Sequence, residues 1–308
     1  MEIVITGASG LLGKNLIKYL CNFPYKIYGF GRENSYDFKS PNFNYIQIDW
    51  DKYDEIIELI SRKNIDFFIH LAGIQAKKCE EDFKECYEFN INKTFMLAKD
   101  CQQYKVKNFL FSSSFQVYKD SDYKNVLKDV NNNNSNYSNS KIILEYLLSS
   151  LSKSGITNFQ IIRISNIIGP LMSSYKNKDL LFINDICYQA IVKNQIRLIS
   201  NPLISRDFIP VSLFCKNINE IIKKNNKNFS ISNVKSNLNL NLYQMANLVK
   251  EQFQKLFDKE IKIHYENEYQ ISKDILNKST YEKNMKLILE IKSEISKILN
   301  EINLKYYD

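Results

Sequence analysis

A glycine-rich turn at residues 6–13 limits most strongly what this chain can fold into. The segment Thr6-Gly7-Ala8-Ser9-Gly10-Leu11-Leu12-Gly13 directly follows a short β-rich run and opens an amphipathic helical pattern. In such a strand–turn–helix unit, one glycine permits a tight turn, a second lets the backbone approach a pyrophosphate, and a third lets the helix pack close to the strand. The amide groups and the dipole at the helix start favour a phosphate. The predicted phosphate-binding residues are Gly7, Ser9, Gly10, Leu11, Leu12 and Gly13.

The first half of the chain repeats this alternation of strand and helix. The predicted strands are Ile3–Thr6, Lys26–Phe30, Tyr45–Ile48, Phe67–Leu71, Phe109–Ser112 and Phe159–Ile164, and the predicted helices are Leu11–Leu20, Tyr53–Arg62, Glu80–Tyr104 and Asn136–Ser152. Such alternation is typical of βαβ units and predicts an α/β fold with a doubly wound parallel sheet.

Beyond Gly169–Pro170 the order of elements loosens. Helices are predicted near residues 180–193, 213–224, 242–257 and 281–302, with strands at 196–199 and 229–232. We therefore expect a Rossmann domain over residues 1–168, to which part of 206–232 returns, and a smaller, interleaved C-terminal lobe over residues 169–308. The asparagine run at 131–134 is predicted to be a mobile loop.

Composition excludes several classes of protein. The net charge of +8 comes from lysines that are spread along the chain, with only five arginines and no long basic tract. This distribution is typical of a solvated surface and not of a nucleic-acid-binding face. The six cysteines show neither a CxxC motif nor metal-ligand spacing, and reduced thiols explain them at least as well as disulfides. No signal peptide and no apolar run of ~20 residues is visible, so we expect a cytoplasmic protein with no metal and no membrane partner.

Further motifs follow the glycine loop. They are His70-Leu71-Ala72-Gly73, Asn90, Ser112-Ser113-Ser114, Tyr137 with Lys141, Arg163 to Pro170 and Arg206 to Val211. Together with the TGxxGxxG spacing of the loop, they resemble the extended short-chain dehydrogenase/reductase family, which includes sugar-nucleotide epimerases, dehydratases and reductases. The resemblance extends to about Val211. It implies an enzyme that binds NAD or NADP in its Rossmann domain and a nucleotide-linked sugar in its smaller lobe.

The resemblance also implies roles for individual residues. Asp49 would touch the adenine, Lys141 would hold the nicotinamide ribose, and Ser114 would hydrogen-bond the reacting oxygen. Asn166 and Arg206 would contact the diphosphate of the substrate. The other residues that would line the cofactor are Leu71, Ala72, Gly73, Asn90, Ser112, Tyr137 and Ile164. Relatives commonly form homodimers through the helices that match Glu80–Tyr104 and Asn136–Ser152, so a homodimer is expected.

Tyr137 and Lys141 are the predicted catalytic pair. Four residues apart on a helix, they share one face. A free tyrosine has a pKa near ~10, and a nearby ammonium lowers the pKa because it favours the phenolate. Tyr137 would then exchange a proton with a sugar hydroxyl or carbonyl while a hydride moves to or from the nicotinamide. His70 is expected to pack beneath the cofactor and not to carry protons.

The second predicted strand ends in Gly31-Arg32, without the carboxylate that would bind the ribose hydroxyls of NAD. Arg32, with Asn34 and Ser35, can instead bind a 2′-phosphate through charge-assisted hydrogen bonds. The sequence therefore favours NADP over NAD.

Phe115 and Gln116 stand where the dehydratases of the family carry an Asp-Glu pair, and these side chains cannot ionise. Dehydration is therefore disfavoured. A keto-reductase of a deoxysugar nucleotide is favoured by Gly31-Arg32. An epimerase that retains NAD remains the alternative, as does a non-catalytic, dinucleotide-sensing protein.

Overall fold

The computed structural model describes residues 1–34, 36–118, 135–172, 180–224, 228–266 and 283–307. Ser35 and the asparagine run at 131–134 lie outside these residues. The chain divides into two compact units. The first comprises Met1–Ile164 and Cys215–Val234, and the second comprises Ser165–Phe214 and Lys235–Asp308.

The described strands are β1 (Glu2–Thr6), β2 (Lys26–Gly31), β3 (Phe43–Gln47), β4 (Phe67–His70), β5 (Asn108–Ser114), β6 (Asn158–Ile164), β7 (Asn166–Ile168), β8 (Gln195–Leu198), β9 (Ser205–Pro210), β10 (Ser230–Val234), β11 (Asn239–Asn241) and β12 (Lys262–Tyr265). The described α-helices are α1 (Leu11–Leu20), α2 (Asp54–Arg62), α3 (Ala76–Glu81), α4 (Phe83–Tyr87), α5 (Thr94–Gln103), α6 (Asn136–Leu151), α7 (Phe182–Lys193), α8 (Val211–Lys224), α9 (Leu242–Phe257) and α10 (Met285–Tyr307).

The first unit is built on a parallel sheet in the order β10-β6-β5-β4-β1-β2-β3. Its central strands are almost continuously buried runs, as expected where helices cover both faces of a parallel sheet. The rings of Phe68 and Phe109 stack at 5.4 Å between centroids inside this core. The predicted doubly wound parallel sheet is therefore confirmed. Apart from the added edge strand β10, its strand order, β6-β5-β4-β1-β2-β3, is that of dinucleotide-binding folds.

The predicted helix Glu80–Tyr104 is wrong as a single element. The chain breaks at Asp82, whose φ of −139° and ψ of 87° are not helical. The Asp82 carboxylate accepts a hydrogen bond of 2.9 Å from the Glu85 amide and so caps α4. A π-helical segment, Glu88–Lys93, then joins α4 to α5.

The second unit contains the sheets β11-β9-β7 and β12-β8. Its apolar core is formed mainly by α7, α9 and α10, with isoleucines of α10 such as Ile291, Ile295 and Ile298 fully buried. This unit is interleaved in the sequence, since the chain leaves the first unit after β6 and returns to it within α8.

Candidate active site

The carboxyl ends of the central strands carry most of the predicted site residues in the first unit. The strand register pairs Thr6 of β1 with His70 of β4, and Ser114 of β5 with Ile164 of β6. Because these strands are parallel, the segments that follow them leave the sheet at the same edge. This edge is where doubly wound folds bind their ligands.

The glycine loop is formed by backbone atoms that approach each other closely. Gly7 has a φ of +70°, and a Cβ on it would lie 2.8 Å from the backbone of Leu71 and Ala72. A Cβ on Gly13 would overlap the carbonyl oxygen of Gly7. Gly10 precedes α1 without a side-chain cap, and the first turn of α1 contains no acidic residue. This N-terminus is therefore suited to an anion such as a pyrophosphate.

The end of β2 presents hydroxyl groups where a carboxylate is absent. A Cβ on Gly31 would lie 2.7 Å from Tyr45 Oη and 3.0 Å from Ser9 Oγ. Glu33, two residues further on, is paired with Lys14 at 3.3 Å. Arg32 is exposed and makes no ion pair within the part of the chain that the structure describes.

Other predicted cofactor residues have structural contacts of their own. Asp49 is exposed after β3, and its Oδ1 accepts from the Asp51 amide at 3.0 Å. Asn90 is buried in the π-helical segment. Its side chain accepts from the amide of Ile74 and donates to the Ile74 carbonyl and to Ser140 Oγ. Asn90 thus fixes the segment that follows Leu71, Ala72 and Gly73.

The predicted catalytic residues come together at the start of α6. The Ser114 hydroxyl hydrogen-bonds the phenol of Tyr137. The ammonium of Lys141 lies 5.5 Å from the centre of the Tyr137 ring and donates to the carbonyl of Ser112 at 3.1 Å. A Cβ on Gly73 would lie 3.5 Å from Lys141 Nζ. The arrangement offers a phenol, a hydroxyl and a buried ammonium at one strand end.

Burial sets the protonation of this pair. It raises the pKa of Tyr137 above its ordinary value, while the hydrogen bond from Ser114 acts in the opposite direction. The sequence predicted a lowered tyrosine pKa. The difference arises because desolvation of the phenolate outweighs its stabilisation by neighbours. Burial also lowers the pKa of Lys141 to about 8, against the charge of Glu145.

His70 is buried, and its ring is uncharged at neutral pH. Its Nδ1 lies 2.8 Å from Thr6 Oγ1 and its Nε2 lies 3.2 Å from Thr94 Oγ1. Burial, with a smaller contribution from the charge of Lys141, lowers its pKa to about 3. The ring therefore joins β1 to α5 as a neutral group.

A buried ion pair behind the catalytic pair escaped sequence analysis. Glu145, one turn after Lys141 on α6, binds Arg163 of β6 through both carboxylate oxygens, at 3.1 and 2.5 Å. Ser113 Oγ donates to the same carboxylate at 2.5 Å. Arg163 also donates to Tyr118 Oη at 3.0 Å, and Tyr118 donates to Asn233 of β10 at 2.7 Å. The sequence did carry a signal for it: Glu145 continues the four-residue spacing of Tyr137 and Lys141, and it is an acid in a helix that is apolar on both sides of it.

A second unforeseen feature lies at the N-terminus of α6. The carboxylate of Glu80 on α3 accepts from Ser135 Oγ, Asn136 Nδ2 and the amide of Tyr137, at 3.1, 3.2 and 3.4 Å. Next to it, Cys79 forms a disulfide with Cys86 across the break at Asp82. The sequence left thiols and disulfides open, and the structure pairs these two cysteines, while the other four form no disulfide.

The residues predicted to contact a diphosphate lie in the second unit. Asn166 begins β7 and donates to the carbonyl of Asp207 on β9 at 2.9 Å. The carboxylate of Asp207 is engaged by Ser236 and by the amide of Asn237. Arg206 makes no ion pair with Asp207 or with any other residue in the described ranges. Its guanidinium can receive an anion.

The described residues that directly follow β5, 115–118, include no acid. Phe115, Gln116 and Val117 form a turn of 3₁₀-helix in which Ser114 Oγ accepts from the Gln116 amide at 3.1 Å. The ring of Phe115 packs edge-on against Tyr118 at 5.5 Å. Among the described residues, no three His, Cys, Asp or Glu side chains are grouped to hold a metal ion. Nor does any described helix combine the length and apolar character that crossing a membrane requires.

Comparison with known proteins places these observations in a family. The sequence profile of the NAD dependent epimerase/dehydratase family matches residues 3–234. The dTDP-D-glucose 4,6-dehydratase of Dictyostelium discoideum is 29% identical over an alignment that covers 55% of this chain and 44% of the relative. The chain therefore matches less than half the length of that relative.

Solved structures share the fold at low identity. A UDP-N-acetylglucosamine 4-epimerase from Methanobrevibacter ruminantium M1, in complex with UDP-N-acetylmuramic acid, superposes with a TM-score of 0.78 at 18% identity, over 99% of this chain and 98% of the other. The UDP-glucose 4-epimerase from Bifidobacterium longum, in complex with NAD+ and UDP, gives a TM-score of 0.77 at 18% identity, over 100% and 99%. The second of these structures therefore contains NAD+.

Proposed function

This chain belongs to the NAD dependent epimerase/dehydratase family, and from that premise we propose that it reduces a keto group of a nucleotide-linked sugar. The observation that carries the proposal is the grouping of Ser114, Tyr137 and Lys141 at the end of β5, with Phe115 and Gln116 in place of acids. Because positions 115 and 116 hold no carboxylate, the described residues of the site lack the acidic pair that would move protons at a second sugar carbon. Hydride transfer at one carbon remains.

The residues of the first unit fit a dinucleotide. The glycine loop offers a cradle that a Cβ would fill, and α1 presents an uncapped N-terminus to the pyrophosphate. Asp49 would lie at the adenine, and Lys141 would hold the nicotinamide ribose. The remaining residues of the cofactor site would be Leu71, Ala72, Gly73, Asn90, Ser112 and Ile164. When bound, the nicotinamide supplies or accepts the hydride.

Tyr137 is the acid of the proposed reduction. Its raised pKa keeps the phenol protonated at neutral pH, which is the form that can donate a proton to the oxygen of a ketone as that oxygen becomes an alcohol. Ser114 would donate a second hydrogen bond to the same oxygen and hold it in place. In the second unit, Asn166 and Arg206 would bind the diphosphate of the sugar nucleotide.

NADPH is the proposed reductant. A 2′-phosphate carries negative charge, and Arg32 is an exposed cation at the end of β2. Gly31 supplies no carboxylate, and the charge of Glu33 is balanced by Lys14. The neutral hydroxyls of Ser9 and Tyr45 leave this strand end free of repulsion toward a phosphate.

The proposal is tested with a panel of UDP-, dTDP- and GDP-linked 4-keto-6-deoxy sugars and NADPH. A reductase oxidises one NADPH for each molecule of alcohol that it forms, and the loss of NADPH is measured by absorbance. The Tyr137→Phe variant should bind NADPH in calorimetry but fail to oxidise it. A protein that binds the dinucleotide but turns over neither this panel nor UDP-glucose would be a dinucleotide-binding regulator instead.

Epimerisation with retained NAD is the second candidate, favoured by the names of the superposed relatives and by the NAD bound in one of them. An epimerase returns the hydride to its sugar and leaves cofactor absorbance unchanged over complete turnovers. Mass spectrometry of the denatured protein would then release tightly bound NAD, and incubation with UDP-glucose would give its C4 epimer. Neither is expected of an NADPH-using reductase.

A homodimer through α5 and α6 is part of the proposal. Leu144 and Leu148 of α6 are fully buried in the protomer. Met96 on α5 and Ile143 and Tyr146 on α6 are instead exposed, at 46%, 38% and 52%. Apolar side chains at such exposure are suited to an interface between copies. Light scattering should give a mass twice that of one chain, and the Tyr146→Glu variant should give the mass of a single chain.

A further inference from the structure

We propose that Glu145 is a positioning residue whose negative charge keeps Lys141 protonated beside Tyr137, a role that rests on the proposed function of that pair. The three side chains follow one another at intervals of four residues along α6 and so share one face of the helix. Lys141 and Glu145 are both buried, at 4% and 5% exposure. Their charges therefore interact with little screening by water.

Glu145 is held in a single position by contacts from β5 and β6, and β10 supports them indirectly. Arg163 of β6 grips both of its oxygens, and Ser113 of β5 donates to one of them. Arg163 is fixed in turn through Tyr118, which donates to Asn233 of β10. A carboxylate anchored this firmly cannot turn toward solvent, so its charge stays at one distance from Lys141.

The other groups around Lys141 leave it without a second buried counter-charge, because the Glu80 carboxylate at the start of α6 is exposed and already binds Ser135, Asn136 and the Tyr137 amide. Within the described residues, β4 contributes His70, which is neutral, and β5 contributes the Phe111 ring and the Ser112 carbonyl. The π-helical segment contributes the amide of Asn90, next to Gly73, and α6 contributes Tyr137. Arg163, the remaining charged neighbour of Glu145, is a cation. Burial alone favours the neutral amine, and Glu145 is the carboxylate that opposes it.

The purpose of this charge follows from the chemistry of the pair. A protonated Lys141 donates to the Ser112 carbonyl, and its charge stabilises the phenolate that Tyr137 becomes when it gives up its proton. A neutral lysine would leave that phenolate in a low-dielectric site without a cation. Loss of Glu145 should therefore impair turnover most where Lys141 is closest to losing its proton, at alkaline pH.

Two variants separate this role from that of an ion pair that only supports the fold. Glu145→Gln removes the charge but leaves Arg163 buried and unpaired, which is strongly destabilising. The double variant Glu145→Gln with Arg163→Gln removes both charges, so no unpaired ion remains. Glu55→Gln, at an exposed position on α2, is the matched control.

The primary measurement is the NMR titration of ε-carbon-labelled lysines in the full-length protein, with the Lys141 signal identified by its loss in Lys141→Met. The titration midpoint of Lys141 should fall by about 1 pH unit or more in the double variant and should not move in Glu55→Gln. An unchanged midpoint in a folded double variant would overturn the proposal. Failure of the double variant to fold would also overturn it, because Glu145 would then serve the fold.

NADPH turnover on an active keto sugar supplies the second measurement. In the double variant, the alkaline limb of the plot of kcat against pH should move to lower pH by as much as the Lys141 midpoint does. At pH 6 its kcat should change by less than about threefold. The NMR titration needs no substrate. Absence of turnover across the sugar panel would thus count against the proposed function alone, whereas an unmoved Lys141 midpoint would count against the role of Glu145 alone.

Discussion

The glycine loop and the catalytic face of α6 lie at the same edge of one sheet but are built in opposite ways. The loop is made by backbone atoms, and what it requires of the sequence is the absence of side chains at Gly7 and Gly13. The catalytic face is made by buried polar side chains, each held by a partner far away in the sequence, such as Glu145 by Arg163. The loop therefore depends on local geometry, whereas the catalytic face depends on the whole sheet behind it.

The catalytic face should show the largest effect of a single change. Tyr137→Phe removes one oxygen from a half-buried ring and is expected to lower turnover by about 10²–10⁴-fold, because proton donation to the substrate oxygen is lost. Dinucleotide affinity should change little, since the pyrophosphate is bound by the loop. Stopped-flow absorbance of NADPH measures the turnover, and calorimetric titration measures the affinity for the dinucleotide. Turnover within threefold of the unmodified chain would remove the tyrosine from the mechanism.

The loop should fail through its backbone. Gly7→Ala places a methyl 2.8 Å from the backbone of Leu71 and Ala72 at a φ of +70°. We expect it to lower the free energy of unfolding by about 1–3 kcal/mol and to weaken dinucleotide binding. Gly155→Ala is a matched control, because Gly155 has a φ of +69° with no atom within 4 Å of an added Cβ. Equal losses of dinucleotide affinity in both variants would show that strain, and not the shape of the loop, is responsible.

The cofactor preference should respond to Arg32, the exposed cation at the end of β2. Arg32→Ala removes a charge-assisted hydrogen bond to a 2′-phosphate, worth about 1.5–3 kcal/mol, so NADPH affinity should fall by about 10- to 100-fold. NADH affinity should be unchanged. Arg62→Ala, on the exposed face of α2 and paired with Glu58, serves as control. Tighter binding of NADH than NADPH by the unmodified chain would contradict the argument from Arg32.

The same contrast explains how much the sequence could predict. The parallel sheet and the glycine loop follow from local patterns, since an apolar run, a turn and a helix are neighbours in the chain. The break at Asp82 was missed because its capping geometry lies inside an otherwise helical pattern. The raised pKa of Tyr137 was missed because burial depends on residues that the sequence does not bring together. Arg163 was visible as part of a motif, but its partner Glu145 lies 18 residues away on another element.

The smallest expected effect tests how the N-terminus of α6 is held. Glu80 places its carboxylate at that N-terminus, where an anion stabilises a helix by about 0.3–1 kcal/mol. Glu80→Ala should lower the free energy of unfolding by that amount and reduce turnover slightly, because Tyr137 lies in the first turn. Glu81→Ala removes a neighbouring exposed acid of α3, which is paired with Lys77 at 3.9 Å, and should change neither the free energy of unfolding nor the turnover. Chemical denaturation and turnover measured on both variants make the comparison. If Glu81→Ala lowered the free energy of unfolding and the turnover as much as Glu80→Ala, the loss would come from α3 and not from the contact of Glu80 with α6. The position of α6 would then be set by its buried contacts, such as those of Lys141 and Glu145, and not by Glu80.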